Sequence, residues 1–134
     1  MAVILEGGCR VSEMFEGEPV VNSTLRVWRR IGRASGAQAI SLCVLDFAPG
    51  RSPAIRNHDC DQILYLLDGS PHLPSFEIVI DGQAHSVGGD TGVYIRPGQT
   101  FAIDNPGTGP INIISSQCPD PDQFLQFVDS PPTN

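Results

Sequence analysis

From Glu18 to Cys118 the chain breaks into short apolar runs, each closed by Gly, Pro, Asn or Asp. Runs rich in Val, Ile, Leu and Phe that recur roughly every eight to twelve residues, with turn residues between them, specify short antiparallel strands. The stretches read as strands are "EPVVNSTLRVWRRIG", "QAISLCVLDFAPG", "DQILYLLDG", "FEIVIDGQAHSVGGD", "TGVYIRPG", "QTFAIDNPGTG" and "PINIISSQC". "GRASGA" reads as a turn-rich break, "RSPAIRNHDC" as a loop, and "GSPHLPS" as a long turn. Asp81-Gly82 sits between two such runs and predicts a tight hairpin, since both residues tolerate positive φ. Only "PDPDQFLQFVD" reads as helix, with Asp120 as N-cap and Pro121 at the first helical position. With 14 Gly and 12 Pro in 134 residues, the pattern predicts one all-β domain, a sandwich or barrel.

Charge and residue usage remove several functions. The net charge is −7, and the densest cationic cluster is Arg26, Arg29, Arg30 and Arg33. Phosphate neutralisation needs a concentrated positive face, so a nucleic-acid partner is not expected. The chain has no Lys, which removes Schiff-base chemistry and P-loop lysines and leaves Arg as the cation for any bound anion. Cys9, Cys43, Cys60 and Cys118 show no CxxC spacing, so a zinc knuckle is not expected. The start "MAVILEGG" lacks the basic flank and apolar length of a secretion signal, and no run is long enough to span a bilayer. A cytoplasmic protein with reduced thiols is the expectation.

The chemistry concentrates in "RNHDCDQILYLLDG", residues 56–69. Gly50 is followed by five residues, then Arg56-Asn57-His58; three residues separate His58 from Gln62, and six separate Gln62 from Gly69. A second stretch, "IRPGQTFAIDN", gives Arg96-Pro97-Gly98, then Phe101 and Asn105. In order and spacing the two resemble the paired motifs of the cupin family, motif one at 50–69 and motif two at 89–105. Gly89 stands one residue upstream of the family position, and Arg96 stands where the family has Pro. The resemblance implies a jelly-roll β-barrel and a homodimer joined through sheet edges or exchanged N-terminal strands.

In the metal-binding members, two His and a Glu of motif one and a His of motif two hold a divalent metal. Those positions are occupied here by Arg56, His58, Gln62 and Phe101. Arg56 stays protonated and Phe101 has no donor, so two of the four cannot ligate. No cofactor is therefore expected. The alternative is zinc, iron, manganese or nickel on His58 and Gln62, with Cys60 or His72 completing the set.

Strand alternation carried through the motif puts residues 56, 58, 60, 62, 64 and 66 on one face, which the resemblance turns inward. That predicts Arg56 buried beside His58, clamping an anionic small-molecule substrate while His58 works as acid or base. Gln62, Cys60, Phe101 and Tyr94 are the expected substrate contacts. Asp59, Asp61 and Tyr65 have the opposite parity and are expected in solvent. His85 is expected on the outer hairpin, and Trp28 in the core or at the dimer interface. The expected activity is non-oxidative: isomerisation, cyclisation, dehydration or elimination, as in natural-product pathways. A non-catalytic binding protein and a metal-dependent lyase or oxygenase stay open as alternatives.

Overall fold

A computed structural model describes residues 3–4, 10–11, 13, 15, 17–57, 59–67, 76–119 and 127–128. Fourteen strands follow in chain order: β1 Val3–Ile4, β2 Arg10–Val11, β3 Val20–Asn22, β4 Leu25–Ile31, β5 Ser41–Phe47, β6 Gly50–Arg51 and β7 Ala54–Arg56. Then come β8 Asp61–Leu66, β9 Phe76–Ile80, β10 Gln83–Val87, β11 Thr91–Ile95, β12 Thr100–Asn105, β13 Ile111–Cys118 and β14 Phe127–Val128. One sheet runs β11-β8-β13-β5-β4-β3; the other runs β10-β9-β12-β7-β14, with β6 also on β12. β1 and β2 pair with each other.

Alternation builds the core. In β8 the odd residues Asp61, Ile63 and Tyr65 are exposed while Gln62, Leu64 and Leu66 are buried. Inward residues of both sheets meet in one cluster, among them Leu45, Phe47, Ile55, Leu66, Ile78, Phe101, Ile103 and Ile113. Each such side chain, fully buried, contributes roughly 1.5–3 kcal/mol. The architecture is a two-sheet antiparallel jelly roll, the all-β fold that the turn spacing predicts.

The Asp81-Gly82 turn forms as expected. Ile80 pairs with Gln83, leaving a two-residue loop with φ of +49° at Asp81 and +85° at Gly82. Two positive φ values in succession match the right-handed twist of the flanking strands. The Asp81 carboxylate then accepts the Thr100 N–H at 3.0 Å, tying the hairpin to β12.

Three readings change. "EPVVNSTLRVWRRIG" is a hairpin rather than one strand: Asn22 pairs with Leu25 around Ser23-Thr24, with Ser23 at φ +55°. A turn without Gly or Pro leaves little signal in composition. "RSPAIRNHDC" holds two short strands, β6 and β7, pinned to β12. In "PDPDQFLQFVD", Phe127 and Val128 pair with Ile55 and Ala54 as strand β14. The ladder to β7 overrides the local helical pattern there, and 120–126 lie outside the described residues. Among the described residues, no helix is long and apolar enough to cross a membrane.

Candidate functional site

The inner face of the β8 sheet is ordered in cross-strand rows. Leu25, Phe47 and Ile111 form one row, and Val27, Leu45, Ile113 and Leu66 the next. The third row is Arg29, Cys43, Ser115 and Leu64; the fourth is Ser41, Gln117 and Gln62. On this sheet's inner face one end is therefore apolar, and the other carries carboxamides, hydroxyls, a thiol and a guanidinium.

At the polar end lies a cavity lined by Cys43, Leu45, Ile55, Gln62, Phe101, Ser115 and Gln117. It offers about 10 Å³ to the centre of a water-sized sphere, and about 240 Å³ of free space counted out into the solvent it opens onto. Gln62 is 4% exposed. Its Nε2 donates to Ser115 Oγ at 2.9 Å, and its Oε1 has no hydrogen-bond partner. A buried acceptor without a partner is costly, so this oxygen is poised for a donor from a ligand or water.

Asn57, fully buried, organises the neighbouring wall. Its N–H donates to the Gln99 carbonyl at 2.8 Å, and its carbonyl accepts the Gly98 N–H at 2.6 Å. Its Nδ2 donates to the carbonyls of Cys60 (2.5 Å), Ile95 (3.1 Å) and Arg96 (3.1 Å). Three carbonyls can only accept, so the Asn57 amide has one orientation and its Oδ1 must accept. Gln117 Nε2 is the donor to it, at 3.4 Å. The two motifs thus meet at Asn57: motif one supplies the side chain and motif two the turn that encloses it.

The expected site residues separate. Gln62 and Phe101 meet at the cavity, and Phe101 is 1% exposed. Cys60 is buried, but its Sγ donates to the Pro119 carbonyl at 3.0 Å and it does not line the cavity. Tyr94 lies on the outer face, 52% exposed, and donates its hydroxyl to Asp61 at 2.5 Å. That hydrogen bond, with the Asp61 charge, holds the phenol above its ordinary pKa against a smaller opposing effect of Arg96. Asp59, Asp61, Tyr65 and His85 are exposed and Trp28 is buried, as expected. His58 and His72 lie outside the described residues.

Arg56 is exposed, contrary to its expected burial. The parity argument fails because the chain changes sheets between Asn57 and Cys60: β7 belongs to the β12 sheet and β8 to the other. Alternation holds within one strand and restarts after a crossing. The cation whose strand position faces the interior is Arg29, in register with Cys43 and half-buried. It was read only as part of an Arg cluster. Cys43, Ser115 and Gln117 also escaped the sequence reading. Their signal was alternation in β5 and β13, which marks inward residues without saying which row opens onto a cavity.

Of the family's four metal positions, Arg56, Gln62 and Phe101 lie among the described residues. Arg56 is outside the cavity, Phe101 is apolar, and Gln62 brings one carboxamide oxygen. Among the described residues, no three of His, Cys, Asp and Glu stand together as a metal-ligand group.

No family model matches the sequence, and no curated protein matches it. Solved structures do match in fold. The polyketide cyclase RemF from Streptomyces resistomycificus superposes with a TM-score of 0.71 at 14% identity, over 92% of this chain and 88% of that one. The Clostridium difficile EutQ protein gives 0.66 at 13% identity, over 92% and 89%. An RmlC-like cupin from Shewanella frigidimarina gives 0.64 at 15% identity, over 84% and 93%. The fold of this chain is the cupin fold.

Proposed function

We propose that this protein is a small-molecule enzyme that carries out non-oxidative acid/base chemistry at the polar end of its barrel. The reaction is an isomerisation, cyclisation, dehydration or elimination, acting in the cytoplasm on a natural-product intermediate. The observation that carries this reading is the unpartnered, buried Oε1 of Gln62 in a cavity that opens to solvent. Gln62 orients the substrate's polar group beside the apolar wall of Leu45, Ile55 and Phe101. His58 moves the proton: imidazole titrates near neutral pH, and the residue stands at a ligand position of motif one. Arg56, exposed at the end of β7, attracts an anionic substrate to the rim rather than clamping it inside. RemF, a structural neighbour, is a polyketide cyclase, which supports cyclisation within this set.

The chemistry proposed uses side chains alone, and near-stoichiometric metal in elemental analysis of tag-free protein would overturn that part of it. The working unit proposed is a homodimer. Ile63, Tyr65 and Tyr94 support it, because they leave adjacent apolar side chains 56%, 42% and 52% exposed on the outer face of β8 and β11.

Proton transfer can be tested before the substrate is known. A panel of enolisable ketones and hydroxylated aromatic polyketide analogues is incubated with protein in D₂O, and carbon-bound hydrogen exchange is followed by NMR. Exchange at least ~100-fold above background, lost in His58→Ala, is expected. Binding of panel members with no exchange would instead establish a non-catalytic binding protein.

A further inference from the structure

We infer that the cavity selects its ligand through a hydrogen-bond donor, a hydroxyl or N–H group seated on Gln62 Oε1. This rests on the reading of the cavity as the ligand site, and not on His58 or on catalysis.

Two polar side chains of the fourth row set the selection. Gln117 is oriented by Asn57, whose own amide is fixed by three backbone carbonyls. With Gln117 Nε2 committed to Asn57, the other amide atom of Gln117 is an acceptor. Gln62, directly across the strand pair from Gln117, spends its Nε2 on Ser115 and keeps Oε1 unpartnered. Each carboxamide thus directs one N–H to the protein, and Gln62 keeps Oε1 as a buried acceptor without a partner. A donor entering here gains a bond to an oxygen that is already desolvated. A ligand without a donor leaves Oε1 unpaired.

The enclosure limits size. Leu45, Ile55 and Phe101 supply apolar wall beside the neutral carboxamides. The cavity has room for little more than one water-sized group, so the donor group enters and the rest of the ligand stays at the rim. The substrate class is therefore a compound with a hydroxyl or N–H donor: a phenol, enol, alcohol or amide.

The test uses the full chain, labelled with ¹⁵N and titrated with phenol and with anisole, which has the same ring but no donor. The side-chain amide resonances of Gln62 and Gln117 are followed by NMR. Phenol is expected to shift both saturably and to bind at least ~10-fold more tightly than anisole. The preference should vanish in Gln62→Met and persist in His58→Ala. Gln62→Glu keeps an acceptor of the same size, and should keep the preference at neutral pH if Gln62→Met fails to fold. Equal or tighter binding of anisole, no binding of phenol, or a preference that survives Gln62→Met would each overturn the inference. Loss of hydrogen exchange in wild-type protein with the phenol preference intact would sink the catalytic reading and leave donor selection standing.

Discussion

Gln117 on β13 donates its side-chain N–H to Asn57, sixty residues earlier in the chain, at 3.4 Å inside the barrel. Asn57 in turn donates to three backbone carbonyls of the motif-one crossing and the motif-two turn. Asn57→Ala leaves several buried acceptors without partners, each costing about 1–3 kcal/mol, so a loss of about 3 kcal/mol or more is expected. Asn57→Asp has nearly the same shape, but sets a carboxylate against those carbonyls and should cost at least as much at neutral pH. Urea unfolding followed by fluorescence of Trp28 measures both. A loss under about 1 kcal/mol for either variant would refute this role.

Phe101 occupies a metal-ligand position of the family with a fully buried ring that lines the cavity. Phe101→Ala should cost about 3–5 kcal/mol, because removed contacts add to the enlarged void. Phe101→Leu should cost clearly less. Chemical denaturation of the pair checks the order, and Phe101→His gives a separate reading on whether a ligand at this position creates metal affinity.

Arg26 and Asp46 face each other across β4 and β5 in a salt bridge on the outer side of that sheet, and the Arg26 guanidinium lies 5.2 Å from the centre of the Trp28 ring. The Asp46 side chain is 4% exposed and that of Arg26 is 53% exposed. Truncating the half-exposed cation strands a buried carboxylate, so Arg26→Ala should cost about 2 kcal/mol, between the values for exposed and fully buried pairs. Asp46→Asn should cost less, since it removes the charge that needs compensation. Equal losses for the two would show that packing, not charge, sets the effect.

Tyr94 donates its hydroxyl to Asp61, which stabilises the neutral phenol. Its folded pKa is raised, so the folded state holds the proton more tightly than the unfolded chain. The resulting stabilisation is present below the unfolded tyrosine value of about 10 and is lost as pH rises through the folded value. In a Tyr65→Phe background, phenolate absorbance should develop above the ordinary tyrosine range. Asp61→Asn should move it back down. An unchanged titration in Asp61→Asn would rule out the carboxylate as the cause.

The outer face of β8 and β11 gives a test of assembly. Ile63→Glu changes an exposed residue opposite Tyr94 and should leave monomer stability within about 0.5 kcal/mol. If this face joins two copies, light scattering of wild-type protein gives twice the chain mass and Ile63→Glu gives one. A wild-type monomer at micromolar concentration would refute the dimer.

Much of the fold was legible because its cues are local. Asp81-Gly82 announces its turn through two residues that accept positive φ, and β8 and β13 announce their buried faces by strict alternation. The Ser23-Thr24 turn was not legible, since neither residue is a strong turn former. Gln62 and Phe101 were found from motif spacing, and both line the cavity. Arg56 was misplaced, and Arg29, Ser115 and Gln117 were overlooked.

By itself the sequence determined an antiparallel all-β domain and the positions of most turns. It also determined which residues of β8 face inward. Those properties depend on φ preferences and on a two-residue period, both of which act within a few residues. Only the tertiary structure decided that the chain changes sheets after Arg56, and that Gln62, Ser115 and Gln117 share one cavity. Parity is not transmitted through a crossing, and cross-strand register joins residues more than fifty positions apart. The unpartnered oxygen of Gln62 follows from that register: Ser115 takes one end of the amide and leaves the other to the cavity.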